Sequence, residues 1–257
     1  IPDGTYASAS ITEAGGRWCV SVHLDVPEKS PDEGRPTVGV DVGVRELAHL
    51  SDGTVIPNPR ALEREAARHR ELQLAVARKQ RAADKRYGKR EKGRRREESK
   101  RLQRARRRAA RLACRVANIR EDALHKATTA LAKKYGVVAV EDLDGRNMTR
   151  ARRGVGRAAK AGLNRAILDS GMLRLRGMLA YKMPLHGGRL VVVPAPYTSQ
   201  TCSRCGERTD PGAGKVFVCA NCELVIDRDE NASLNIHAAV SCTVAPEKGR
   251  RGAVVRP

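Results

Sequence analysis

The apolar residues of this chain fall into short continuous runs separated by long stretches of a different character. Thr37-Val38-Gly39-Val40, Val137-Val138-Ala139-Val140 and Arg189-Leu190-Val191-Val192-Val193 each read as a strand buried on both faces. The first is followed by a Val42-Gly43-Val44 turn and a second run, Glu46-Leu47-Ala48-His49-Leu50. Ser51-Asp52-Gly53 then turns the chain into Thr54-Val55-Ile56, which predicts an antiparallel meander. Residues 61–135 change pattern: Ala, Leu, Arg, Lys, Glu and Gln dominate and Pro is absent, with Gly88 and Gly93 near the middle. Two long antiparallel helices joined there are predicted. Residues 164–181 resume helical spacing, with Ile167, Leu168, Met172, Leu175 and Leu179 on one face, and residues 230–240 predict a last short helix. Pro184 predicts an early end to the 164–181 helix. Ahead of the first buried strand, the strand-like Arg17-Trp18-Cys19-Val20-Ser21-Val22-His23-Leu24 makes residues 1–27 read as the last strands of a β-rich domain. A Pro- and charge-rich segment, 28–36, reads as a linker. The order of three strands, helices, a strand, a helix, a strand and a final helix predicts one α/β unit.

Charge sharpens this picture. Among 257 residues, 50 are Lys or Arg and 29 are Asp or Glu, a formal charge of +21, which selects a polyanionic partner. No apolar stretch approaches the roughly 18–20 residues of a spanning helix, so nucleic acid is favoured over membrane. With aromatics at 3%, a broad base-stacking platform is excluded. The cationic residues cluster. Residues 78–111 carry too few apolar positions to bury a helix face, and their one-sided charge would repel itself without a polyanion. Arg94, Arg95, Arg96, Arg106, Arg107 and Arg108 are therefore candidate nucleic-acid contacts. A second basic stretch, 146–153, with Gly154 and Gly156 behind it, reads as a loop that adds Arg150, Arg152 and Arg153. Residues 241–257 are basic and aperiodic and read as a disordered tail. No targeting segment is visible, and the chain opens at Ile1 without Met, so it reads as a cytoplasmic, nucleoid-associated protein cut from a longer one.

Seven cysteines in such a chain point to a reducing compartment and metal thiolates. Cys202-x-x-Cys205 and Cys219-x-x-Cys222 form two knuckles, which together supply a tetrahedral four-thiolate site for one structural zinc ion. No coordination position is left open for chemistry. Cys19, Cys114 and Cys242 have no partner at ligand spacing and read as small apolar fillers.

Acidic residues stand where the apolar runs end. Asp41 closes the first strand, Glu141 closes the 137–140 strand, and Asp227-Arg228-Asp229-Glu230-Asn231-Ala232 follows the cysteines. Phosphodiester hydrolysis needs a nucleophilic water and a stabilised leaving oxygen, and two Mg²⁺ ions on hard oxygen ligands supply both. Asp41 on the central strand would bridge the ions, with Glu141 and Asp229 completing their shells. Asp229 is preferred to Asp227, which can instead cap the following helix, as Asp142 and Asp144 can serve turns and loop solvation. Gly43 would let the backbone turn just beyond Asp41.

Gly39-Val40-Asp41-Val42-Gly43, Val140-Glu141-Asp142-Leu143, Thr198-Ser199-Gln200-Thr201-Cys202-Ser203-Arg204-Cys205-Gly206 and Asp227-Arg228-Asp229-Glu230-Asn231-Ala232-Ser233-Leu234-Asn235-Ile236, in this order, resemble the RuvC and zinc-ribbon core of the TnpB family. These are transposon-encoded, RNA-guided DNA nucleases related to type V CRISPR effectors. The resemblance implies an α/β, RNase H-like (RuvC) mixed sheet with a long basic helical hairpin insertion and an inserted four-cysteine zinc ribbon. It implies Asp41, Glu141 and Asp229 as catalytic acids holding two Mg²⁺, and Cys202, Cys205, Cys219 and Cys222 as the ligands of one Zn²⁺. Its partners would be target DNA and a guide RNA from the transposon end, with no membrane. The implied organisation is a β-rich remnant at 1–27, a nuclease core at 37–198 with the hairpin at about 61–135, the ribbon at 199–226, a final RuvC segment at 227–240 and the tail at 241–257. Family members carry a further N-terminal lobe, of which only the last strands are expected here. The competing expectation is a non-cleaving DNA- or RNA-binding regulator, or an inactive truncated transposase remnant.

Overall fold

The computed structural model describes residues 5–32, 34–88, 98–150, 156–194, 197–210, 212 and 214–243. Strands β1 (Thr5–Ala14) and β2 (Arg17–Asp25) form a hairpin. The core elements are β3 (Thr37–Val42), β4 (Ala48–Leu50), β5 (Val55–Ile56), α1 (Ala61–Arg64), α2 (Ala66–Tyr87), α3 (Lys100–Lys134), β6 (Val137–Glu141), α4 (Gly145–Thr149), α5 (Arg157–Ser170), α6 (Met172–Leu185) and β7 (Arg189–Val193). A small ribbon, β8 (Val216–Val218) and β9 (Val225–Asp227), leads directly into α7 (Arg228–Thr243).

The five-stranded sheet runs β5-β4-β3-β6-β7. The β5–β4–β3 meander is antiparallel, whereas β3–β6 and β6–β7 are parallel, so the sheet is mixed and β3 is its middle strand. Side chains alternate across the pleat. Val38, Val40, Val138 and Val140 point to one face and are fully or almost fully buried with Leu124 and Leu131 of α3 and Leu175, Leu179 and Met183 of α6. Ala139 and Val193 point to the other face, against Ile236 and Val240 of α7. Truncating one of the large aliphatic residues in such a core typically costs about 2–5 kcal/mol.

The 61–135 segment is indeed two long helices, with the short α1 in front. None of the 22 residues of α2 is buried. Polar contacts join the two helices and their ends: Arg106 donates to Gln80 Oε1 at 2.6 Å and pairs with Glu98, and Arg115 lies 3.7 Å from Glu65. The hairpin of β1 and β2 turns at Gly15 and Gly16, both at positive φ as a two-residue turn of this hand requires. That turn sits on α3, where a Cβ on Gly15 would come within 3.1 Å of Cys114 Sγ, so Cys114 is a packing residue.

Several elements differ from the sequence reading. The 146–153 loop begins as α4, because Asp144 Oδ1 accepts the Arg146 and Asn147 N–H groups at 2.8 and 3.3 Å and nucleates a turn. The 164–181 helix is two helices divided at Gly171, whose φ of 68° lies outside the helical range. A Cβ at Gly171 would lie 2.9 Å from Leu124 Cδ1, and the bend leaves Leu168 61% exposed rather than on the buried face. Pro184 does not end α6 early. It occupies the last turn, and its carbonyl accepts from Lys29 N at 3.0 Å and Gly187 N at 3.1 Å. Those contacts also make 28–36 more than a linker: Arg35 donates to Ala132 O at 2.8 Å and His186 O at 2.6 Å, strapping the segment to the ends of α3 and α6. The last helix is longer than expected, and most of the anticipated tail, 244–257, lies outside the described residues.

Among the described glycines the closest backbone approach is at Gly39, where α7 meets β3. A Cβ on Gly39 would fall inside the backbone of Ser233 and His237, reaching 2.9 Å from His237 Cα. Backbone cannot yield as a flexible side chain does. Gly39→Ala is expected to destabilise by about 3 kcal/mol or more in urea unfolding. Gly53→Ala, at a φ of 82° with open space around it, should cost only about 1 kcal/mol.

Candidate active site

The pleat decides which polar groups meet. Val40 pairs with Val140 in register, so Asp41 and Glu141 follow one step on, at the same level of neighbouring strands and on the face opposite Val40. Asp41 is also the direct antiparallel partner of His49 on β4, which puts the imidazole on that face too. This is the face α7 covers. Asp227 closes β9, and its Oδ1 accepts from Asp229 N at 2.9 Å and Glu230 N at 3.3 Å, capping the helix. Asp229 is thereby fixed in the first helical turn, where the helix dipole favours an anion. Its Oδ2 lies 3.9 Å from His49 Nε2, and one ligand atom each of His49, Asp227 and Asp229 lie within 4.8 Å of one another.

Burial pushes the Asp41 carboxyl well above the usual carboxylate range, and the charges of Glu141 and Asp229 push it further; Arg228 opposes them. Burial also raises Glu141, against a hydrogen bond from Thr198 Oγ1 that favours its ionised form. Asp142, next along, points elsewhere and pairs with Arg176. Gly43 has no positive φ; what restricts it is the Glu46 carbonyl, 3.0 Å from where a Cβ would stand.

Thr198 belongs to a loop that α7 holds firmly. The fully buried Asn231 accepts from Ser203 N at 2.9 Å and donates to Thr201 O at 2.8 Å. Asn235, one turn on, donates to Thr198 O at 2.8 Å and Thr201 O at 2.7 Å. Glu141, the loop and α7 are therefore joined by one continuous set of hydrogen bonds.

That loop opens into the four cysteines. Cys202 Sγ and Cys222 Sγ are 3.6 Å apart, as are Cys205 Sγ and Cys219 Sγ, and all four sulfurs lie within 4.8 Å. Tetrahedral zinc with bonds of about 2.3 Å would separate its sulfurs by about 3.8 Å, so the cluster could bind zinc with little adjustment. Backbone N–H groups point at the sulfurs. Hydrogen bonding from the Cys222 backbone, aided by Asn221, holds the Cys219 thiol down, while burial and the neighbouring sulfurs push the Cys222 thiol up to about 12. Asn221 Nδ2 adds a contact to Cys205 Sγ at 3.7 Å. Both knuckles turn through positive φ, at Gly206 (77°) and at Glu223 (56°), the second without the benefit of glycine.

Of the candidate nucleic-acid contacts, Arg107, Arg108 and Arg150 are exposed. Arg106 is instead drawn into the brace between α2 and α3, because Gln80 and Glu98 both lie within its reach. Arg94, Arg95, Arg96, Arg152 and Arg153 lie outside the described residues. Three contributors were not singled out from the sequence: His49, and the anchoring roles of Thr198 and Asn235. His49 could have been found by pairing the predicted meander across its turn, which sets it opposite Asp41.

A family model described as "Probable transposase" matches residues 19–152, and one described as "Cas12f1-like, TNB domain" matches residues 173–236. The chain is 33% identical over 260 residues to "Putative RNA-guided DNA endonuclease InsQ" of Escherichia coli, covering 96% of this chain and 61% of that protein. It is 33% identical over 230 residues to "Putative RNA-guided DNA endonuclease" of Streptomyces pristinaespiralis, covering 88% of this chain and 51% of that one. The chain thus spans between half and two thirds of the length of these relatives. A solved structure, "Cryo-EM structure of CRISPR-Cas12f Ternary Complex", superposes with a TM-score of 0.49 at 20% identity, covering 86% of this chain and 42% of that one.

Two outcomes follow from the geometry. Cys219→Ser is expected to lose stoichiometric zinc and the folded ribbon together, since metal binding supplies much of the folding free energy of so small a unit; metal analysis and circular dichroism read both, and retained zinc would contradict it. The raised Asp41 carboxyl sets a pH dependence. Its contribution to stability is fully present below the ordinary carboxylate range and is lost as pH rises through its raised folded value. In thermal melts of protein without added divalent metal, Asp41→Asn should raise the midpoint at neutral pH and flatten its fall with pH, and Mg²⁺ should raise the midpoint of the parent more than that of the variant.

Proposed function

The chain belongs to the TnpB family of probable transposases, and from that premise we propose that it is the Mg²⁺-dependent endonuclease core of an RNA-guided, transposon-associated protein. The observation that carries this reading is the β3–β6 register, which sets Asp41 and Glu141 level on adjacent strands of the face that α7 covers, with Asp229 in the first turn of that helix. A protein that only bound nucleic acid would gain nothing from burying these like charges together. Strand order supports it as well: a central β3 flanked by antiparallel β4 and parallel β6 is the arrangement expected of an RNase H-like, RuvC-type core.

On this reading Asp41, Glu141 and Asp229 hold two Mg²⁺ ions. The residues fit that role: three carboxylates are hard donors, and the raised Asp41 marks a site short of positive charge. Bound Mg²⁺ would supply the charge that activates a water and stabilises the leaving oxygen. The chain's own part is placement. The β3–β6 register fixes Asp41 against Glu141, Thr198 orients the Glu141 carboxylate, and the Asp227 cap sets the first turn that carries Asp229. The four cysteines hold one structural zinc in a ribbon at 199–226, and its position between the 37–198 core and the 227–240 segment lets Asn231 and Asn235 anchor it. The exposed Arg107, Arg108 and Arg150 would contact phosphates, giving salt-sensitive affinity, while pairing to a guide RNA from the transposon end would choose the DNA.

The test is cleavage of end-labelled single-stranded DNA by zinc-loaded protein purified with its flanking RNA. Cutting is expected with Mg²⁺ and not with EDTA. Asp41→Ala and Asp229→Ala should each lower the rate by about a thousandfold or more while nucleic-acid binding is retained. Cutting that persists in EDTA, or binding and cutting lost in parallel, would overturn the assignment.

A further inference from the structure

His49 is not one of the acids, yet it stands among them. We propose that His49 is a nitrogen ligand of the metal ion held by Asp229 and Asp227, and that it biases this position toward a first-row transition-metal dication over Mg²⁺. The inference rests on the metal-site reading above and adds a residue and an ion preference to it.

Three observations carry it. His49 Nε2 is buried and makes no hydrogen bond among the described residues, and a buried nitrogen left this way calls for an ion or an equivalent partner. Its near neighbour Asp229 Oδ2 is 3.9 Å away, too far for a hydrogen bond and well placed for two ligands on one ion. With bonds of about 2.1 Å, ligands on a common ion lie ~3.0 Å apart when adjacent and ~4.2 Å apart when opposite. The third member is Asp227, which caps α7 with Oδ1 and has its other oxygen outside that cap.

The backbone makes the position deliberate. His49 faces Asp41 across the antiparallel β3–β4 pair on one side, and on the other β4 is held to the β5 strand by the pairing of His49 with Val55 and by Leu50 N to Thr54 O at 2.9 Å. That pairing sets the ring on the same face of the sheet as Asp41, the face that α7 covers. Mg²⁺ prefers an all-oxygen shell and keeps its waters, whereas imidazole suits transition-metal ions. A site with two aspartates and one imidazole thus discriminates where three carboxylates would not. A purely structural ion pair between His49 and Asp229 is the competing role, and it would leave no imprint on a bound metal.

Mn²⁺ is the probe, because its unpaired electrons report the nuclei that ligate it. Zinc-loaded full chain is titrated with Mn²⁺ and examined by electron spin-echo spectroscopy. Nitrogen hyperfine coupling of a directly bound imidazole is expected, lost in both His49→Ala and His49→Gln with the fold intact by circular dichroism. Mn²⁺ affinity should fall about tenfold or more in both variants, with Mg²⁺ affinity nearly unchanged. Mn²⁺ that binds and is removed by Asp41→Ala, but shows no nitrogen coupling, would overturn the role of His49 and leave the acid site standing. Absence of any Mn²⁺ binding would overturn both.

Discussion

The contact on which everything else depends is the one between α7 and β3 at Gly39. The two backbones meet where a single methyl group would collide with Ser233 and His237. That closeness lets the first turn of α7 reach the end of β3, so that an aspartate far along the chain comes within the electrostatic reach of Asp41. Ala139 beside Gly39, and Ala232 and Ser233 on the helix, keep the same seam thin. Small side chains are usually poor core material because they bury little apolar area. Here they are used because distance matters more than area.

The second constraint is electrostatic. Collecting carboxylates on a half-buried face is unfavourable in the metal-free protein, as the raised Asp41 and Glu141 carboxyls record. The fold holds them there with directional bonds as well as with the counter-charge of Arg228, 3.8 Å from Asp229: the Asp227 cap, the Thr198 bond to Glu141, and the paired carbonyl contacts of Asn231 and Asn235. Those same asparagines grip the loop that opens the cysteine cluster. The ribbon is thus mechanically continuous with the acid site, and a folded ribbon delivers β9, and with it α7, in the right direction. The helical pair α2–α3 is a different kind of structure, projecting with little buried surface on α2 and braced by Arg106 and Arg115.

Much of this was legible in the sequence. Continuous apolar runs named β3, β6 and β7, although β7 is the sheet edge and leaves Val192 43% exposed; the acidic ends of the first two named Asp41 and Glu141, because a strand buried on both faces leaves no other place for a charge. The cysteine spacing named the cluster. What could not be read was set by tertiary contact. Leu168 has the right helical spacing for the core but is exposed, since the bend at Gly171 redirects its helix. Arg106 looks like its neighbours in sequence and differs only because Gln80 and Glu98 are brought to it. His49 is an ordinary strand residue until the meander register places it opposite Asp41. The 28–36 strap looks like a linker because its bonds run to helix ends about a hundred residues or more away.

The central claim is that one face of this sheet, closed by α7, assembles a divalent-metal site from Asp41, Glu141 and Asp229. The most direct measurement is an anomalous difference map from crystals of the zinc-loaded protein soaked in Mn²⁺. The account predicts density beside Asp41 at the ends of β3 and β6, against the first turn of α7, separate from the zinc signal within the four cysteines. Manganese found only on the outer surface, with none between the strands and α7, would contradict it.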